Sequence, residues 1–279
     1  MKEYLKAEAD IKDPDLISAI DELPLWSAPF GLKLLDIIEY KKNIRVLDIG
    51  CGMGFPLLEL GQRLGDTCQL HGIDPWEEAL DRARFKLQVY NIKNVKLVNI
   101  AAENLPFDDK YFDLIISNNG INNVQDIVQT MKECFRVSRP EAQMVFSLNT
   151  PDTMKEFYSI FQEVLQEEGL ENEVREMESQ IYSKRRPLNE LIEITKNSGF
   201  KIVNLFEDTF TMKFADGSAM LNHCLIKYWF MDGWKKILNE SNMNEVFENV
   251  EEKLNQQSDS QGYFTLTIPF VTFDCRRTA

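Results

Sequence analysis

The chain has little of what several protein classes require. Its 279 residues hold five cysteines, at 51, 68, 134, 224 and 275, with no CxxC pair among them. That scatter matches no metal-ligand spacing and no disulfide framework, so no metal is expected, and it suits reduced thiols in a cytoplasmic setting. Positive charge is short as well: 31 Lys and Arg stand against 45 Asp and Glu, a formal net charge of −14. Nucleic-acid binders need a basic face to displace counterions, so neither nucleic acid nor an anionic membrane is expected as a partner. No stretch is long and apolar enough to span a bilayer, and residues 1–13 are charged and lack the apolar core of a signal peptide. Thirteen glycines and ten prolines are too few for a fibrous or disordered chain.

What is present reads as one large α/β domain with helical additions. Residues 1–43 read as a helical segment, with Leu16, Ile17, Ile20 and Leu23 at helical spacing and Pro24 and Pro29 interrupting it. Strands and helices then alternate over 44–150. Strands are expected at 44–48, 69–74, 95–99, 112–117 and 143–148, and helices at 55–64, 77–90 and 127–135. Such alternation implies βαβ units and a parallel sheet covered on both faces. After Pro151 the rhythm changes. Strands are expected near 201–214 and 263–276, separated by helical insertions at 151–190 and 215–262, with 255–261 (Asn-Gln-Gln-Ser-Asp-Ser-Gln) as a polar loop. The acidic run from Glu163 to Glu178 reads as a solvated face.

The chemistry-bearing feature is Asp48-Ile49-Gly50-Cys51-Gly52-Met53-Gly54, directly after the first strand. Glycines there tolerate positive φ and let a ligand approach the backbone, and the following helix offers free N–H groups. Two cofactor classes use such turns. The dinucleotide fingerprint G-x-G-x-x-G would place its third glycine at position 55, which is Phe. The spacing here is D-x-G-x-G-x-G, which disfavours a nicotinamide cofactor.

Val46 to Gly54 resembles the first motif of class I S-adenosylmethionine-dependent methyltransferases, in the small-molecule branch that includes ubiquinone- and menaquinone-biosynthesis enzymes. The resemblance continues in register: Gly72-Ile73-Asp74 ends the second strand, 24 residues beyond Gly50. It implies a doubly wound Rossmann-like sheet of seven strands, mostly parallel with an antiparallel last strand, plus helical cap insertions. It also implies roles for individual residues. Gly50, Cys51, Gly52 and Gly54 would lie against the methionine part of the cofactor, and Asp48 would organise the loop and the amino-acid moiety. Asp74 would accept hydrogen bonds from the ribose diol, with Pro75 and Trp76 beside the adenine. Ala102-Glu103 would meet the adenine edge, and Asn118 would sit at the carboxyl end of the fourth strand. Family members often carry Pro-Gly-Gly before the fifth strand, where this chain has Pro140-Glu141-Ala142.

The expected activity is transfer of a methyl group from S-adenosyl-L-methionine to a small, partly apolar acceptor by in-line displacement. No residue matches a dedicated base motif, so the catalytic residue is unknown. Trp26, Asn119 and His223 are substrate-pocket candidates. His223 lies in an expected apolar helix, 219–231, that reads equally as a lid or as the interface of a homodimer. Two other readings stay open at this point: a nicotinamide-dependent oxidoreductase, and a cofactor-binding scaffold without turnover.

Overall fold

A computed structural model of the chain describes residues 1–23 and 25–278; Pro24, expected to interrupt the first helical segment, lies outside the described residues. In chain order the elements are α1 (Glu3–Lys6), α2 (Pro14–Glu22), α3 (Ala28–Ile37), β1 (Arg45–Ile49), α4 (Leu57–Leu64), β2 (Gln69–Asp74), α5 (Glu77–Val89), β3 (Val95–Asn99), β4 (Phe112–Asn118), α6 (Ile127–Val137) and β5 (Ser138–Asn149), followed by α7 (Lys155–Glu167), α8 (Glu171–Lys184), α9 (Leu188–Asn197), β6 (Phe200–Phe214), α10 (Gly217–Asn222), α11 (Met231–Lys235), α12 (Glu240–Gln261) and β7 (Phe264–Arg277). The seven strands form one sheet in the order β3-β2-β1-β4-β5-β7-β6. Pairing is parallel from β3 through β5, and β7 runs antiparallel to β5.

The chain folds as two compact units. The larger comprises residues 11–149, 187–208 and 270–279. Its strands carry apolar residues on both faces because helices cover both. Successive side chains on a strand point to opposite faces, so Leu47, Ile115 and Met144 join one buried cluster while Val46, Ile116 and Val145 join the other. The chain order reverses between β1 and β4, and there the carboxyl ends of parallel strands open a crevice. Register places Asp48 beside both Gly72 and Ile116. Helix α2 starts on Pro14, with the Asp13 side chain accepting from Asp15 N–H at 2.9 Å. It is tied to α5 by Asp21, which meets Arg82 at 2.7 Å and Lys86 at 2.6 Å.

The smaller unit comprises residues 1–10, 150–186 and 209–269, so the N-terminal helical segment is divided between the two. Its centre is aromatic. Phe157 and Phe161 of α7 are fully buried. Phe161 stacks on Phe247 of α12 at 5.9 Å, and Phe157 stacks on Trp234 of α11 at 3.8 Å.

Three local expectations fail here. The apolar stretch 219–231 is not one helix: α10 stops at Asn222, His223 is extended (φ −63°, ψ 136°), and the chain resumes as a short π-helical turn, Ile226–Phe230. Residues 255–261 are not a loop but the last turns of α12. Leu254 and Ser258 are buried there, Asn255 bonds Ser218, and Gly262 closes the helix at φ 81° with its N–H on Ser258 O at 2.7 Å. Long-range contacts outweigh the weak helix propensity of Asn, Ser and Asp. The acidic run holds α8, whose Val174 and Met177 are buried, so that run is amphipathic and not wholly solvated. The Pro140-Glu141-Ala142 turn solves its geometry without glycine: Glu141 itself adopts φ 64°.

Candidate cofactor site

The glycine-rich turn leaves β1 and folds back onto β2. Gly50 and Cys51 both donate their N–H groups to Ile73 O, at 2.9 and 3.0 Å, and Gly54 N–H closes the turn on Cys51 O at 2.8 Å. Gly50, Gly52 and Gly54 have φ of 73°, 48° and 103°, the left-handed region that costs other L-residues energy. Two of them also lack room: a Cβ on Gly50 would lie 2.8 Å from the Cα of Gly120, and one on Gly54 would lie 2.6 Å from Leu58. Gly52 is different. A Cβ there would meet only Asp74 Oδ2, at 4.0 Å, so its face of the turn is open beside that carboxylate.

Asp74 ends β2 with its carboxylate already oriented. Oδ2 accepts from Gly52 N–H at 2.9 Å and Oδ1 from Trp76 N–H at 2.8 Å. Burial raises its pKa, and these two N–H groups act in the opposite direction. Each carboxylate oxygen retains acceptor capacity for a hydroxyl.

Asp48 is fully buried, and neither of its carboxylate oxygens has a hydrogen-bond partner. Burial pushes its pKa well above the carboxylate range, and the nearby Asp74 charge adds to the rise. A buried ionisable group left unpaired is costly, and a cationic ligand group would relieve it. Cys51 is buried too, and burial followed by the Asp48 and Asp74 charges pushes its thiol up. It is therefore an inert wall of the loop, and a Cβ on Gly72 would meet its Sγ at 2.7 Å.

The carboxyl end of β4 completes the crevice. Ser117 Oγ donates to Ile49 O at 2.8 Å and accepts from Ile121 N–H at 3.2 Å. Asn118 donates through Nδ2 to Ser27 O at 3.2 Å, and its buried Oδ1 has no partner. A Cβ on Gly31 of α3 would strike the Phe55 ring at 2.2 Å and approach Asn118 Nδ2 to 3.1 Å. The residue that breaks the dinucleotide spacing thus packs against α3 at the crevice.

The remaining sequence-nominated residues are distributed unevenly. Pro75 is exposed, and Trp76 is partly exposed, with its indole N–H on Ile11 O at 2.9 Å. Ala102 is buried. The Glu103 carboxylate is engaged by Gln125 N–H at 2.7 Å and Asp126 N–H at 3.1 Å, ahead of α6. Glu133 and Arg136 of α6 hold that segment from below: Leu105 N–H donates to Glu133 at 2.8 Å, and Arg136 donates to the Leu105 and Phe107 carbonyls at 2.9 and 2.7 Å. Trp26 packs on Phe30 at 5.9 Å. Asn119 adopts φ 60° and accepts from Asn122 Nδ2 at 2.7 Å. His223 belongs to the smaller unit, where it packs edge-on to Phe214 at 5.4 Å and burial lowers its pKa. Gly120, Ser117 and Gly31 were not singled out from sequence. The Asn119-Gly120 pair after a strand is a turn signal that could have flagged Gly120; it matters because a Cβ there would lie 2.3 Å from Ile49 O.

A family model described as "Methyltransferase domain" matches residues 40–245. The chain belongs to the S-adenosylmethionine-dependent methyltransferases. Their cofactor is S-adenosyl-L-methionine, and nothing in the comparisons supports the nicotinamide reading. The chain is 30% identical over 131 residues to a demethylmenaquinone methyltransferase of Staphylococcus epidermidis, covering 46% of this chain and 54% of that protein. It is 32% identical over 124 residues to one of Staphylococcus aureus, covering 43% and 51%. The chain thus spans about half the length of the curated relatives it matches. Among solved structures, the YcgJ protein of Bacillus subtilis shares the fold at TM-score 0.57 and 15% identity, covering 90% of this chain and 98% of that one. A phosphoethanolamine N-methyltransferase of Haemonchus contortus, solved with S-adenosyl-L-methionine, does so at TM-score 0.53 and 17% identity, covering 89% and 52%.

Proposed function

We propose that this methyltransferase transfers the methyl group to a small, partly apolar acceptor. The observation that carries the methyl-donor half of this reading is the buried Asp48 carboxyl, without a partner, beneath a turn whose Gly52 face opens beside Asp74. When bound, S-adenosylmethionine supplies a methyl group already activated on a sulfonium, so the reaction is an in-line displacement.

The chain's own residues bind and orient. Gly50, Gly52 and Gly54 keep the backbone bare where the amino-acid portion would lie. Asp48 would hold its ammonium group, which answers the unpaired charge. Asp74, fixed by the Gly52 and Trp76 N–H groups, would take the ribose hydroxyls. The Asn118 Oδ1 offers a further acceptor at the end of β4. Holding both reactants at near-attack distance accounts for most of the acceleration such a site can give. Asn119, in the larger unit, remains a pocket candidate in this reading, His223 belongs to the other unit, and no base is assigned. Support for this acceptor comes from the matched relatives, which are named as methyltransferases of demethylmenaquinone.

Calorimetric titration with S-adenosylhomocysteine and NADH, followed by turnover against an acceptor panel, tests the proposal. Tighter binding of NADH would sink it. Cofactor binding with no product from any acceptor would favour a scaffold.

A further inference from the structure

The smaller unit contains a buried cation with no carboxylate. Arg185, at the end of α8, is 5% exposed. Its neighbours Lys184 and Arg186 are more exposed, so the run Lys184-Arg185-Arg186 is not a uniform solvated patch. Among the described residues, no acidic side chain lies within ion-pair distance of Arg185. Its guanidinium sits 5.5 Å from the centre of the Tyr158 ring, and Nη1 donates to Tyr158 Oη at 3.5 Å. Trp234 Nε1 donates to the same oxygen at 3.0 Å.

Donors outnumber acceptors here. Tyr158 Oη already accepts two hydrogen bonds, so its own O–H must point to another acceptor, and the described residues provide none. Arg185 Nε and Nη2 likewise find no acceptor among them, and neither nitrogen is sealed from solvent. The free groups are the Nε–H and Nη2–H edge of the guanidinium, two parallel donors whose spacing matches the two oxygens of a carboxylate. A buried guanidinium ordinarily has an anionic partner, and this chain, with 14 more acidic than basic residues, does not supply one.

We propose that Arg185 and Tyr158 form a subsite for the carboxylate of a small ligand.

The test uses the full chain and three probes: benzoate, methyl benzoate and inorganic phosphate, titrated calorimetrically with S-adenosylhomocysteine measured separately. Benzoate binds wild type, methyl benzoate binds at least about tenfold more weakly, and Arg185→Met abolishes that preference. Arg185→Lys restores part of it, and Tyr158→Phe weakens benzoate several-fold. Removing an unpaired buried charge leaves the melting temperature of Arg185→Met equal to or above that of wild type, whereas a purely structural arginine would lower it. Equal binding of acid and ester, undiminished benzoate binding by Arg185→Met, or no benzoate binding by wild type overturns the subsite. Preference for phosphate over benzoate overturns the carboxylate assignment. Benzoate binding that depends on Arg185 in a chain unable to bind S-adenosylhomocysteine would instead defeat the methyltransferase reading and leave the subsite standing.

Discussion

The β1 turn and the 217–235 segment show how differently sequence constrains structure in the two units. In the turn, each glycine meets a specific backbone demand: positive φ at Gly50, Gly52 and Gly54, and close approach at Gly50 and Gly54. Few other residues satisfy those demands, so the spacing alone announces the conformation. The 217–235 segment is apolar on most sides and announces only burial. It breaks into α10, a π-helical turn and α11 because its neighbours, not its own periodicity, fix where it bends. The units also bury opposite ionisable groups that no counter-charge meets: Asp48 in one, without a hydrogen-bond partner, and Arg185 in the other, held only by Tyr158. Such sites are destabilising on their own account and point to ligands.

Four substitutions would break or sharpen this comparison. The largest effect is expected from Phe161→Ala in the smaller unit. Emptying a fully buried aromatic position that stacks on Phe247 should cost about 3–5 kcal/mol by chemical denaturation. S-adenosylhomocysteine affinity, measured below the melting transition, should be nearly unchanged; a parallel loss would mean that cofactor binding does not reside in the larger unit alone. Next, Gly50→Ala should remove detectable S-adenosylhomocysteine binding and destabilise the chain by about 2 kcal/mol, since both φ 73° and the Gly120 backbone oppose a Cβ.

Asp48→Asn should separate stability from function. The folded-state pKa of Asp48 is raised, so folding favours its protonated form. That contribution is full below the ordinary carboxylate range and is lost as pH rises toward the raised value. Wild type should therefore lose stability between those limits in the absence of ligand. Asp48→Asn should flatten this dependence and melt no lower at neutral pH, while binding S-adenosylhomocysteine about tenfold more weakly. A steeper pH dependence in the variant would contradict the assignment. The smallest effect belongs to Gly262→Ala at the end of α12. Space is open there, so only the backbone at φ 81° resists, and a loss of about 1 kcal/mol is expected in thermal denaturation.

Most of the larger unit was legible in advance because period-2 apolar runs, glycine turns and interleaved helices are local signals. Asp74 could be nominated because it ends a strand in register with the turn. Its fixation by the Gly52 and Trp76 N–H groups could not, since those contacts depend on how β1 and β2 align. The same holds for Glu103, whose carboxylate is drawn to the Gln125-Asp126 backbone. Residues 255–261 looked like a loop because their propensities are weak, and they became helix because Asn255 and Ser258 found partners far along the chain or inside α12.

By itself, then, the sequence determined the strand–turn–helix that carries the glycine-rich motif, because glycine spacing and apolar alternation act within a few residues. Only the tertiary structure decided which charges are stranded. Arg185 is one of three consecutive basic residues, and Asp48 one of many acids. Whether a charge finds a partner depends on what distant segments bring within a few ångströms, and no local pattern encodes that.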